Sequence, residues 1–401
     1  MNILIVAPKL PSPTAGPNTR NFHLLKTLAS RHNVSLLAFD DGTPHILPDH
    51  TSILAGLTDR LQIIPLNSKT PKRRQQLLGL LRGKPYMLDT LILPEAQQVI
   101  DALFASHHYD AVLYESMFTA DYILPEDVMV IIDQHNIEFE LRLRTYQQES
   151  AIWRKWYNWC EGHMLKSVEI ERCRRADSVL VTSERECDVM HQLLPQTTFV
   201  VVPNGVDSSA FYPQSSTQEI ENSIVFTGAM DYYPNVDAVC FFAEYCWPII
   251  RARIPAATWK IVGKNPMPEV RKLAELPGVT VTGTVPDTRP YLAAASVAIA
   301  PLRIGSGTRL KILEAFAMQK AVISTGLGCE GLAVENGQHL LVADQPELFA
   351  QSVIRLLEDG NKRRELGCAG RSLVETTYDW EQSGKRLLQL VDEMEPSLHG
   401  R

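Results

Sequence analysis

The 401-residue chain has no surplus of positive charge: 39 Lys and Arg stand against 46 Asp and Glu, for a net charge of −7. A general nucleic-acid binder needs a cationic surface to neutralise phosphates, so that class is excluded. The chain also has no C-x-x-C pair. Its seven cysteines, Cys160, Cys173, Cys187, Cys240, Cys246, Cys329 and Cys368, are odd in number and scattered. That pattern fits buried thiols in a reducing compartment rather than a disulfide framework or a zinc site. No apolar run is long enough to cross a membrane, because the longest uncharged, mainly apolar stretch, Tyr291 to Leu302, falls well short of the ~20 residues required. Met1 to Ala7 are apolar but carry no basic flank, and Pro8 and Pro11 cut them short of a signal peptide, so a cytoplasmic protein is expected. There is no D-x-D and no His, Asp and Glu cluster with octahedral spacing, so no metal is expected. The nearest candidate, Glu184-x-Glu186, heads a predicted helix, where acids suit the dipole.

What is present is a globular composition. With 45% apolar and 21% charged residues, the chain can bury a core in each of two or three domains, which excludes a disordered, collagen-like or disulfide-stapled chain. Short apolar strands alternate with longer amphipathic helices, the pattern of parallel sheets built from βαβ units. The first half offers strands at Asn2–Ala7, Val34–Phe39, Leu61–Pro65, Asp110–Glu115, Val128–Asp133, Ser178–Thr182 and Phe199–Val202. The second offers Ser223–Thr227, Thr258–Val262, Val279–Thr282, Val297–Ala300, Ala321–Ser324 and His339–Val342. The rhythm breaks at Pro203-Asn204-Gly205-Val206-Asp207 and the polar tract from Pro213 to Asn222, which places a hinge between Gly205 and Glu221. Two domains, 1–205 and 206–401, are expected. Neither is basic, since the first carries 20 basic and 23 acidic residues and the rest 19 and 23. A last helix, Trp380 to Asp392, either caps the second domain or crosses back to the first.

Ligands of parallel α/β sheets bind beyond the carboxyl ends of the strands, so the loops there are the candidates. The loop from Pro8 to Arg20 lacks G-x-G-x-x-G, but Gly16 lets backbone approach a ligand at the start of a helix. A proline-stiffened loop is the competing reading. Asp133-Gln134-His135-Asn136-Ile137-Glu138 follows another strand, where His135 suits contact with a sugar hydroxyl or serves as a helix cap. The richest segment runs from Pro301 to Ala315. Gly305, Ser306, Gly307 and Thr308 open a helix entrance, followed by Arg309, Leu310 and Lys311, whose two cations oppose the helix dipole unless an anion is bound. Glu314, one turn on, is placed to accept two hydroxyl protons of a ribose. The alternative is a solvated basic face with Glu314 paired to Lys311.

These residues together resemble the GT-B retaining glycosyltransferases, specifically glycosyltransferase family 4. Pro203-Asn204-Gly205-Val206-Asp207 with Phe211 and Pro213 is similar to that family's interdomain signature. Phe226-Thr227-Gly228, Ile261-Val262-Gly263, Val281-Thr282-Gly283-Thr284-Val285 and Leu313-Glu314-Ala315 match its second-domain landmarks in order, and the branch that builds bacterial exopolysaccharide is the most similar. The resemblance implies two Rossmann-like domains, the second holding a nucleotide-sugar. It further implies that Glu314 grips the ribose hydroxyls, that the backbone at Thr284 and Val285 flanks the base, that Gly16 faces the donor phosphates and that His135 touches the donor sugar. Retention of configuration by front-face attack follows from the same resemblance, with His135 a positioning residue and no side chain obliged to be the general base.

Two departures shape the expected site. Eight residues before Glu314, where the family often has a glutamate, stands Ser306, which leaves the sugar contact to Ser306 or to the Gly307 and Thr308 amides. Gly228 is followed by Ala229-Met230-Asp231-Tyr232-Tyr233-Pro234-Asn235 instead of the usual Arg and Lys, so Arg309 and Lys311 are expected to replace those cations. The expected activity is metal-independent transfer from an NDP-sugar, UDP-glucose first, to a saccharide or polyprenyl-diphosphate-linked acceptor, with no cofactor. A nucleotide-sugar 2-epimerase and a catalytically silent nucleotide-sugar-binding protein are the alternatives. Lys72-Arg73-Arg74 with Leu77, Leu78, Leu80, Leu81, Arg82 and Lys84, and Trp153, Trp156 and Trp159 with Arg154 and Lys155, are candidate contacts with the inner face of the plasma membrane. Core-facing helices are the simpler explanation of both.

Overall fold

The computed structural model describes residues 1–13, 17–42, 50–66, 71–149, 151–214, 217–305, 307 and 309–398. The chain forms two compact units, one of Met1–Pro203 together with the residues from Ser383 onward, the other Asn204–Gln382.

The first unit is built on seven parallel strands: β1 (Asn2–Ala7), β2 (Asn33–Asp40), β3 (Arg60–Pro65), β4 (Ala111–Tyr114), β5 (Met129–Asp133), β6 (Ser178–Val181) and β7 (Phe199–Val201). Their order is β3-β2-β1-β4-β5-β6-β7, so the connections reverse direction between β1 and β4. Period-two alternation splits each strand between two cores. Leu4 and Val6 of β1 join one cluster, whereas Ile3, Ile5 and Ala7 join the other. Both faces are apolar because helices cover both, as parallel sheets require.

The second unit has six parallel strands: β8 (Ser223–Thr227), β9 (Thr258–Val262), β10 (Val279–Val281), β11 (Val297–Ala300), β12 (Ala321–Ser324) and β13 (Leu341–Val342), ordered β10-β9-β8-β11-β12-β13. The same alternation sends Ile224 and Phe226 to one core and Val225 to the other. Each unit is therefore a doubly wound α/β sheet of Rossmann type. The last strand is shorter than the expected His339–Val342: Gly337 at φ +85° donates to the carbonyl of Leu340, and this tight turn holds His339 out of the sheet.

The helix Trp380–Leu398, for which the sequence left two placements open, begins in the second unit and continues in the first. Its Leu387, Leu388, Leu390 and Val391 pack with Leu24, Leu25 and Leu28 of helix Pro17–Ala29. A Cβ at Gly384 would lie 2.7 Å from Thr27 Oγ1, so the absent side chain lets the two helices approach. Within the second unit, the Val206 amide donates to the Tyr378 carbonyl, and a Cβ on Gly205 would meet the Trp380 ring at 2.9 Å. The turn at 203–207 thus uses glycine because an indole fills the space beside it.

The two basic helices are not core helices throughout. In helix Lys72–Arg82, Leu78 and Leu80 are partly covered while Leu77 and Leu81 face solvent. In helix Ile152–Arg175 all three tryptophans of the first turns are exposed.

Leu387 is fully buried among these clusters, so Leu387→Ala is expected to destabilise the first unit by about 2–5 kcal/mol. Urea denaturation followed by far-UV circular dichroism measures it; an unchanged midpoint would contradict the packing of this helix.

Candidate active site

In the second unit the carboxyl ends of β8 and β9 are pressed together. The Gly228 amide donates to the Val262 carbonyl at 3.0 Å, and a Cβ built on Gly263 would sit 1.6 Å from the Gly228 oxygen. Only glycine fits at 263. A Cβ on Gly228 would lie 2.7 Å from Asn235 Nδ2 and 3.2 Å from Lys311 Nζ, so these two polar groups occupy the room the missing side chain leaves.

Asn235 stands in the first turn of helix Tyr233–Phe241. It donates from Nδ2 to the Ala229 carbonyl at 2.9 Å and accepts from Lys311 Nζ at 2.6 Å. The Lys311 ammonium also lies 3.8 Å from the centre of the Phe226 ring. Burial, and then the neighbouring Arg309 charge, push its pKa down to about 7, with Glu314 acting in the opposite sense. The ammonium is therefore held by one neutral amide and one ring face. The Lys311–Glu314 ion pair that the sequence allowed is not among the salt bridges of the described residues.

The helix carrying Lys311 spans Leu310–Ala317, and Arg309 is its N-cap with non-helical angles of φ −87° and ψ 87°. The sequence placed Arg309 and Lys311 in the same first turn; the structure leaves only Lys311 there. The reason lies upstream, where Gly305 at φ +113° and Gly307 at φ +78° hold the chain out of the helix. The Arg309 guanidinium folds back over Gly305, 3.2 Å from where its Cβ would be. Ser306 and Thr308 lie outside the described residues. Glu314 is half-buried and accepts no hydrogen bond from any described residue, and burial raises its pKa against the pull of Lys311.

Next to this cluster, beyond β9 and β10, an open pocket of about 410 Å³ is lined by Asn265, Arg271, Thr282, Gly283 and Thr284 among others. Gly283 at φ +71° and Asn265 at φ +53° shape its wall. Thr284 is exposed at its edge, whereas Val285 packs against the core. The structure thus brings together Gly228, Gly263, Lys311 and, around the helix start, Arg309, Leu310 and Glu314. Sequence reasoning missed Asn235 and Phe226, which hold Lys311, although Asn235 lay in the segment quoted after Gly228.

The first unit holds the other candidates. Gly16 lies outside the described residues. His135 follows β5, and its Nε2 approaches Asp133 Oδ2 at 3.2 Å. Asp133 is fully buried and gripped by Arg20 through Nε at 2.7 Å and Nη2 at 2.6 Å; the same guanidinium donates to the Val202 carbonyl. Burial alone would raise the Asp133 pKa, but Arg20 and His135 hold it well below the usual carboxylate range. Glu115, after β4, is fully buried with no partner on either oxygen, and burial, then the Asp133 charge, raise its pKa. Glu186 of the Glu184-x-Glu186 pair accepts from the Thr182 amide and hydroxyl, while Ser183 caps the Glu186 amide, a capping arrangement. No group of three metal-ligating side chains occurs among the described residues.

Family models agree with this two-unit layout. The model described as Glycosyltransferase Family 4 matches residues 14–210, and that described as Glycosyl transferases group 1 matches residues 221–359. The chain belongs to the GT-B glycosyltransferases. This glycosyltransferase is 22% identical over 283 residues to an uncharacterized 44.6 kDa protein in the cps region of Klebsiella pneumoniae, covering 68% of this chain and 71% of that one. Its fold is similar to sucrose-phosphate synthase of Thermosynechococcus elongatus, with a TM-score of 0.74 at 18% identity over 99% of this chain and 100% of that one. It is also similar to Anabaena Alr3699/HepE in complex with UDP, with a TM-score of 0.67 at 14% identity over 98% and 100% of the two chains.

Gly263→Ala forces a methyl group into the Gly228 carbonyl of the glycosyltransferase and is expected to cost about 1–3 kcal/mol or more. Thermal unfolding of the variant measures this, and full retention of the melting temperature would show that the strand ends are looser than described.

Proposed function

We propose that this glycosyltransferase moves a sugar from an NDP-sugar, UDP-glucose being the first donor to test, to a saccharide or polyprenyl-diphosphate-linked acceptor in exopolysaccharide assembly, with retention of configuration. The observation that carries the donor site is the Lys311 ammonium at Gly228, bound to a neutral amide, beside a Glu314 carboxyl that accepts from no donor among the described residues. A diphosphate supplies an anionic partner for Lys311, whose described contacts are a neutral amide and a ring face, and a ribose diol supplies the two protons that Glu314 can accept. The similarity to a protein bound to UDP supports a uridine nucleotide, and the relative from a cps region supports an exopolysaccharide role.

In this reading the pocket at Thr282, Gly283 and Thr284 receives the base, with Val285 behind it. Gly228 and Gly263 leave backbone open to the diphosphate. Ser306 and the amides of Gly307, Thr308 and Leu310 are assigned to the transferred sugar and phosphates. His135 positions the sugar, its ring set by Asp133. Transfer breaks the bond from the anomeric carbon to the diphosphate oxygen and forms the bond to the acceptor oxygen on the same face. The acceptor proton passes to the departing phosphate oxygen. Lys311 and Arg309, rather than a metal, stabilise the charge that develops on that leaving group.

Radiolabelled UDP-glucose incubated with the enzyme is expected to release UDP slowly by transfer to water. Interconversion of the sugar would instead indicate an epimerase, and binding without turnover a silent binding protein. Glu314→Gln is expected to weaken UDP binding about tenfold or more, the scale of one lost charged hydrogen bond; equal affinity would remove Glu314 from the site. Arg309→Ala tests the second cation in the same titration, with unchanged affinity excluding it. His135→Ala is expected to lower kcat while leaving UDP affinity intact.

The pH dependence follows from Lys311. Its free-state pKa near 7 means that the charged form dominates below neutrality and is lost as pH rises, while a bound diphosphate favours the charged form. UDP affinity should therefore fall between about pH 7 and 9, by up to roughly tenfold per unit, with proton uptake on binding. Calorimetry in buffers of different ionisation enthalpy reads the uptake, and Lys311→Met should abolish it.

A further inference from the structure

Helix Ile152–Arg175 of the first unit carries a face that no core explains. Ile152 is 86% exposed, Trp153 62%, Trp156 58% and Trp159 44%. At ~100° per residue, Ile152, Trp156, Trp159 and His163 fall in one narrow stripe, with Trp153 at its margin and Lys155 and Lys166 along its other side. The only acid between residues 152 and 167 is Glu161, which is buried and takes the Tyr157 hydroxyl. The exposed face is thus aromatic and cationic with no acidic side chain. A second helix, Lys72–Arg82, shows the same mixture: Leu77 is 58% and Leu81 76% exposed, one turn apart, beside the exposed Arg73 and Arg74.

We propose that the indole face of helix Ile152–Arg175 docks on the surface of an anionic phospholipid bilayer. Indoles prefer the headgroup level, where one edge is apolar and the N–H stays wet, and lysines beside them meet anionic headgroups. Three other occupants fit less well. Stacking on a sugar chain needs free ring faces, but the Arg154 guanidinium covers Trp153 at 5.1 Å and the His163 ring lies tilted against Trp159 at 4.4 Å. A second copy would bring the Lys155 and Lys166 rows of both molecules together without acids between them. A protein partner would have to supply acids along the lysine row, and nothing in this chain mirrors such a surface.

The proposal deepens the reading of a lipid-linked acceptor and rests on it for its purpose, but its test does not depend on transfer. The full chain is floated with vesicles of phosphatidylcholine, with and without phosphatidylglycerol, at low and high salt. Flotation with the anionic vesicles, weakened by salt, is expected, together with a blue shift of tryptophan emission. Trp153→Ser combined with Trp156→Ser should lower the bound fraction about tenfold, and so should Lys155→Glu with Lys166→Glu. Trp153 and Trp156 are exposed, while Lys155 and Lys166 are half-buried with their ammonium groups over the Tyr146 and Phe139 rings, so unchanged thermal unfolding verifies the folding of both pairs. UDP release from UDP-glucose in lipid-free buffer should be the same for all. Absent flotation of the wild type, or flotation indifferent to both pairs, overturns the proposal. Sedimentation velocity showing a dimer that the tryptophan variants dissolve would assign the face to a second copy instead. Loss of UDP release in every sample, with flotation intact, would sink the transferase reading and leave the lipid surface standing.

Discussion

The carbonyl of Gly228 occupies the volume in which a side chain at Gly263 would begin, and the geometry of the cluster around Lys311 follows from that crowding. With β8 and β9 pressed together at their ends, the chain beyond Gly228 turns so that Asn235 reaches back to the Ala229 carbonyl. The amide oxygen is then left facing Lys311, whose ammonium settles over Phe226 of β8. The cation is supplied by a helix that follows β11 rather than by the loop that follows β8. Desolvation keeps it poised near neutrality, so its charge depends on what is bound beside it.

A comparable economy of charge organises the first unit. Arg20 is the one guanidinium on Asp133, and it also anchors the end of β7 through Val202, tying the helix after β1 to two strands. Removing Arg20 would leave the buried Asp133 carboxylate with His135 as its remaining described partner, a loss on the order of 3–5 kcal/mol. Around this pair, burial raises the pKa of Glu115, Glu138 and Glu186, and that of Glu169 to about 8. His135 stands at the margin of this dry network, close to Asp133.

The sheets were legible because each strand alternates between two apolar faces, a period that survives in sequence: Leu4 and Val6 part from Ile3 and Ile5, and Ile224 and Phe226 from Val225. Lys311 and Glu314 were legible because glycines, cations and a carboxylate coincide after a strand. What holds them was not. Asn235 and Lys311 are 76 residues apart, and Arg20 and Asp133 are 113 apart, separations at which no local pattern signals contact. The start of β13 was misjudged for a local reason, the turn at Gly337, whose left-handed backbone delays a run that otherwise reads as strand from His339. The placement of Arg309 outside the helix likewise turned on the angles of Gly305 and Gly307, which composition does not disclose.

The C-terminal helix gives the molecule a chronology. Residues from Ser383 onward leave the ribosome roughly 180 residues after Pro203, with the whole second unit made in between. Until then Leu24, Leu25 and Leu28 lack the cover of Leu387, Leu388, Leu390 and Val391. The unit that starts first therefore finishes last. A nascent chain stalled before Ser383 presents a sticky leucine strip for chaperones to shield, whereas the second unit, continuous in sequence, is free to fold as soon as it emerges.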